Sequence, residues 1–160
     1  MPSLAASAAA VAANAAGDGM DIAALAKATA AERRFDYQDL VEIAYSGGLV
    51  QGQLPDAVQQ RTSLLALGLQ RSGMSMLPAI SHLKLLAALD ISCNFLIMLP
   101  ASISELQRLE IIDCSDNKLQ ELPSSLFALT KLKQLIAYKN SIDRLDEAVN
   151  QLTRLEEINL

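Results

Sequence analysis

LAALDISCNFLIMLPASISELQR (Leu86–Arg108), LEIIDCSDNKLQELPSSLFALTK (Leu109–Lys131) and LKQLIAYKNSIDRLDEAVNQLTR (Leu132–Arg154) are versions of one 23-residue unit, and LEEINL begins another at Leu155. An apolar residue opens each unit, others follow 3, 5, 10, 13, 17 and 20 positions later, and an asparagine stands 8 positions in. Neither an amphipathic helix nor a hairpin asks for that schedule. Coils of chain stacked on their own copies do ask for it, because each coil buries its apolar residues only against its neighbours.

Upstream the pattern continues in weaker form. LLALGLQRSGMSMLPAISHLK (Leu64–Lys84) keeps the apolar slots Leu64, Leu67, Leu69, Met74, Leu77, Ile80 and Leu83, runs one residue short after Pro78, and carries Ser72 in the asparagine slot. LPDAV (Leu54–Val58) matches the later LPASI and LPSSL, so half a turn precedes the first whole coil. Before it, DIAALAKATAAERRF and DYQDLVEIAY have helical composition, with Asp21 as an N-cap and Gly47-Gly48 as a C-cap. We assign 21–53 as a helical cap over the first coil, 1–20 as an alanine-rich disordered leader, and 54–160 as the repeats.

These units resemble the leucine-rich repeat family, whose pattern LxxLxLxxNxLxxLPxxLxxLxx they follow over about Leu54 to Leu160. The 23-residue length and the LP dipeptide are most similar to intracellular members, such as plant Ras-group and animal Ras-scaffold proteins. The resemblance implies an α/β solenoid, with a curved parallel sheet inside and short helical or 3₁₀ turns outside. The residues support it independently. In LDI, IDC and LIA, buried and exposed positions alternate as a strand requires. Strands separated by a full return coil must run parallel. Asn94, Asn117 and Asn140 form a column whose amides can satisfy backbone groups where the chain leaves each strand. Pro100 and Pro123 fix φ at the following turn, and Asp146 replaces proline in the third unit, where a local difference on the outer side is expected.

Composition narrows the functional classes. The chain is 160 residues long, 51% apolar and only 4% aromatic, with no Trp, so its core is leucine, isoleucine and alanine. A formal charge of -5 argues against a nucleic-acid partner, which calls for a basic face. Cys93 and Cys114 are too few for a disulfide framework and fall on different positions of their units, which suits reduced thiols in a cytoplasmic or nuclear protein. The leader has no cation before Lys27 and little but alanine for apolar residues, so it does not read as a signal peptide. Asn14, Asp18 and Asp21 interrupt it as a membrane span.

Catalytic and cofactor chemistry finds no foothold. His82 is the only histidine and is expected to lie solvated on an outer segment. Two cysteines and one histidine lack zinc spacing, and Gly47, Gly48 and Gly52 precede no phosphate-binding motif. No cofactor, no metal and no enzymatic activity are expected.

Recognition then falls to the inner strand face. Its columns read Ala66, Ala88, Ile111, Gln134, Glu157; Gly68, Asp90, Asp113, Ile136, Asn159; and Gln70, Ser92, Ser115, Tyr138, with Arg71, Cys93, Asp116 and Lys139 beyond. Ile111, Ile136 and Tyr138 form an apolar centre beside acidic residues, as protein-binding patches do. In leucine-rich repeat proteins this concave face is the usual partner site. The candidate partner-binding residues are Asp90, Ser92, Ile111, Asp113, Ser115, Ile136, Tyr138, Lys139 and Asn159.

Two functions follow as expectations. The first is a non-catalytic scaffold that binds a protein on its concave face, with neither nucleic acid nor membrane as partner. The second is the recognition arm of a larger signalling enzyme, such as a ubiquitin ligase, a kinase or a Roco-type GTPase. The second is motivated by Leu160, which ends the sequence in mid-strand and leaves Leu135, Ile158 and Leu160 without a polar cap. Further chain, or self-association, is expected to cover that end.

Overall fold

A computed structural model describes Leu54 and residues 59–160; the leader and the expected helical cap lie outside the described residues. Five three-residue strands, β1 (Ala66–Gly68), β2 (Ala88–Asp90), β3 (Ile111–Asp113), β4 (Gln134–Ile136) and β5 (Glu157–Asn159), form one sheet. Their spatial order is their chain order, and every pair is parallel. Each strand meets the same slot of the next unit: Leu67 faces Leu89, which faces Ile112, then Leu135, then Ile158. The repeat period is thus the sheet register.

The apolar schedule is the core. All seven slots of the second coil (Leu86, Leu89, Ile91, Leu96, Leu99, Ile103 and Leu106) and all seven of the third (Leu109, Ile112, Cys114, Leu119, Leu122, Leu126 and Leu129) are buried in one cluster. In the fourth coil Ile142, Leu145 and Val149 are only partly buried against that cluster. Phe127 joins the core although it falls outside the schedule.

On the outer side lie 3₁₀ turns at Ala101–Glu105, Ser124–Ala128 and Glu147–Gln151. Pro100 (φ -71) and Pro123 (φ -65) precede the first two, their rings holding the backbone where the turn must start. The third was expected to differ locally because Asp146 replaces proline. It does not differ in backbone: Asp146 holds φ -68, and its carboxylate accepts the Ala148 N–H at 2.8 Å. A side-chain cap does there what a ring does in the other coils. The first coil, one residue short, forms no 3₁₀ turn after Pro78 and keeps only the closing bond from Leu83 N–H to Ile80 C=O, at 2.9 Å.

Each of the first four strands leaves the sheet through a left-handed residue: Arg71 (φ 54), Cys93 (φ 55), Asp116 (φ 52) and Lys139 (φ 54). For a residue with a Cβ that conformation costs about 1–2 kcal/mol. It is held because the N–H of Arg71, Cys93 and Asp116 reaches the carbonyl of Ser92, Ser115 and Tyr138 in the next coil, at 3.2, 3.0 and 2.9 Å.

Candidate functional site

The asparagine column stitches the coils together. Asn94 donates through Nδ2 to the carbonyls of Leu69, Ile91 and Ser92 at 3.0, 2.9 and 3.0 Å. Its Oδ1 accepts the N–H groups of Ser72 and Met74, both at 3.0 Å. Asn117 repeats this one coil on, giving to Ile91, Cys114 and Ser115 and accepting from Leu96. Asn140 gives to Cys114, Ala137 and Tyr138 and accepts from Leu119. The amides are therefore consumed by backbone groups, fully enclosed at Asn94 and half-buried at Asn117 and Asn140, which makes them architecture.

The inner face is uneven along the sheet. Asp90, Ser92, Ile111, Asp113 and Ser115 are buried, whereas Ile136 and Tyr138 are half-buried and Lys139 and Asn159 exposed. Strand alternation predicts solvent on all nine; at β2 and β3 that expectation is corrected, and only the β4–β5 end of the face is open. The apolar centre is accordingly split. Ile111 is enclosed, while Ile136 and Tyr138 remain accessible with Lys139, whose Nζ stands 5.6 Å from the Tyr138 ring centroid.

Two of the buried carboxylates serve local turns. Asp90 accepts the Ser92 N–H at 2.9 Å. Asp113 accepts both the Ser115 N–H, at 2.9 Å, and its hydroxyl, at 2.6 Å. The signal was present in the sequence as an Asp-x-Ser spacing repeated 23 residues apart, and the reading by columns passed over it. Asp90 and Asp113 are also register partners on adjacent strands. Further out, Lys133 and Glu110 pair across coils at 2.9 Å, and Gln134 donates to Glu157 at 3.0 Å.

Other candidate chemistry does not assemble. Among the described residues no three His, Cys, Asp or Glu side chains gather as a metal site, and no helix is long and apolar enough to cross a membrane. His82 was expected to be solvated, but it is half-buried, with Nε2 enclosed and without a hydrogen-bond partner in the structure. Both cysteines are free thiols. Burial, and then the adjacent Asp113 carboxylate, pushes the Cys114 thiol up from 9.0 to about 12, against an opposing backbone hydrogen bond.

That shift has a measurable sign. The folded protein keeps the Cys114 proton to about pH 12 and the unfolded chain releases it near 9, so this stabilisation is complete below 9 and falls as pH rises from 9 toward 12. At mildly alkaline pH an alkylating reagent should modify Cys93 alone in the native protein and both thiols only in denaturant. The melting temperature should fall between pH 7 and pH 10 by more in the parent than in Cys114→Ala. Equal labelling of the two cysteines would contradict the burial.

No family model matches the sequence, and no curated protein matches it. Among solved structures the chain is similar to a plant peptide hormone receptor, RGFR1, in complex with RGF2: TM-score 0.58 over 68% of this chain, at 24% identity. The chain spans 18% of that receptor chain. At this identity the likeness carries architecture alone. Taken with the parallel sheet and the stacked 23-residue coils, it gives this protein a leucine-rich-repeat-like fold.

Proposed function

We propose that the chain is a non-catalytic interaction module that binds a protein partner on its inner sheet face, at the β4–β5 end. The observation that carries this is Ile136 and Tyr138, accessible on the inner face of a parallel sheet whose apolar residues on β1, β2 and β3 are buried. A rim of Lys139 and Asn159 surrounds them, with Gln134 and Glu157 tied to each other alongside. An aromatic and a branched aliphatic anchor within a polar margin is how small protein interfaces concentrate their energy. The similar receptor was solved with RGF2 bound, which favours a protein ligand here too. Asp90, Ser92, Ile111, Asp113 and Ser115 belong to the same face and extend the surface toward β2 where it becomes accessible. The 23-residue LP repeat and the two free thiols support a cytoplasmic or nuclear module of the intracellular repeat type.

The full chain carrying Ile136→Asp and Tyr138→Asp should lose its captured partners in an affinity pull-down from native lysate. Its circular dichroism should be unchanged, because neither residue lies in the core cluster. An unchanged set of captured proteins would reject this surface.

A further inference from the structure

Four large apolar side chains stand exposed on the flank where the first two coils pass from strand to outer turn: Met76 (74%), Phe95 (54%), Ile97 (55%) and Met98 (62%). Met76 and Met98 hold one slot of adjacent coils, and the Phe95 N–H donates to the Met74 carbonyl at 2.8 Å, so the two segments run side by side. The slots of Phe95, Ile97 and Met98 carry Lys118, Gln120 and Glu121 in the third coil and Ser141, Asp143 and Arg144 in the fourth, all exposed. The flank therefore changes from apolar to polar between the second coil and the third. Four side chains, each more than half exposed, make a patch of roughly a few hundred Å², the scale at which exposed apolar surface marks a contact.

We propose that this patch is the contact between two copies of the chain, related by a two-fold axis that runs along the second coil. Such an axis sets Phe95, Ile97 and Met98 each against its own copy, and the first coil against the third coil of the other molecule. The margin selects a second copy rather than an unrelated protein. Arg71, Cys93 and Asp116 occupy one slot in the first, second and third coils with the same left-handed backbone, and Arg71 and Asp116 are both exposed. Across the axis Arg71 meets Asp116 of the second copy, and Asp116 meets the other Arg71, so two pairs of opposite charge close the margin. Neither residue forms an ion pair among the described residues. Two residues further on, Lys118, whose Nζ lies 5.1 Å from the Phe95 ring centroid, comes opposite Gly73, where a Cβ would meet nothing within 4 Å. The long cation thus has room. The patch itself carries no charge, so like meets like without repulsion, and it would form the apolar centre of an interface of roughly 800 Å² per partner.

Sedimentation equilibrium of the full chain should show a reversible dimer. Met98→Lys changes an exposed side chain outside the core cluster, so it should leave the protein monomeric with unchanged circular dichroism. Arg71→Asp should raise the dissociation constant of the dimer about tenfold, because both attractive pairs become repulsive. Arg71→Asp/Asp116→Arg should return it to within about threefold of the parent, since the two charges act as a coupled pair. Each replacement is a residue type that already holds this left-handed conformation in the same slot. A short bis-maleimide should join Cys93 of two copies in the parent and not in Met98→Lys. A parent that stays monomeric as concentration rises, a dimer that Met98→Lys leaves intact, or a charge swap that restores nothing would overturn the proposal. Ile136 and Tyr138 lie two coils further along, so partner capture there stands or falls separately.

Discussion

Asn94→Ala is expected to destabilise the protein by about 3–5 kcal/mol, since each buried group left unpaired costs roughly 1–3 kcal/mol. The asparagine makes five hydrogen bonds to backbone groups, reaching Leu69, Ser72 and Met74 in the preceding coil as well as Ile91 and Ser92 in its own. Alanine would leave these carbonyls and N–H groups enclosed, with Asn94 itself only 5% exposed and no route for water. Asn140→Ala should cost less, because that position is half-buried and water can replace part of what is lost. Urea unfolding followed by circular dichroism would show the difference as a lower midpoint at unchanged slope. A loss at Asn94 no greater than at Asn140 would mean that the coils are held by apolar stacking alone.

Phe127→Ala should cost a similar amount, about 3–5 kcal/mol for a large buried ring replaced by a cavity. Phe127 is fully buried, yet its slot holds Ser104 in the preceding coil and Asn150 in the following one. The ring therefore occupies space that neither neighbouring side chain is large enough to fill when it is removed. The 3₁₀ turn Ser124–Ala128 packs on both of the others, so the damage should spread to the adjacent coils. Hydrogen exchange should then show lost protection around Leu106 and Leu152 as well as Leu129, with Phe127→Leu recovering most of it. Loss confined to the third coil would show that the coils respond independently.

The difference between these two residues shows what kind of information each carries. Asn94 was legible because it recurs: a polar residue in one slot of every complete unit has to answer a backbone need that also recurs. Phe127 was invisible to the same reasoning because it occurs once, and its burial depends on the small polar residues above and below it. The left-handed residues Arg71, Cys93, Asp116 and Lys139 were hidden for another reason. No glycine marks their column; at Arg71, Cys93 and Asp116 the next coil's carbonyls offset the backbone cost. Asp146 was misleading in the opposite direction, because a carboxylate cap and a proline ring reach the same φ by different means.

For the candidate site, alternation located the inner face and named its residues, including the pair Ile136 and Tyr138 that remains accessible. It could not tell which of them meet solvent. Alternation is a property of one strand and its neighbours, and it treats β3 and β4 alike although Asp113 is 1% exposed and Ile136 only half-buried. The order of the strands, their register, the apolar core and the asparagine ladder were determined by the sequence alone, since a repeat makes every contact local to adjacent units. The burial of Phe127 and the division of the inner face into an enclosed and an open half were decided only by tertiary structure, because the enclosure of a side chain depends on what packs around it and the repeat period does not state that.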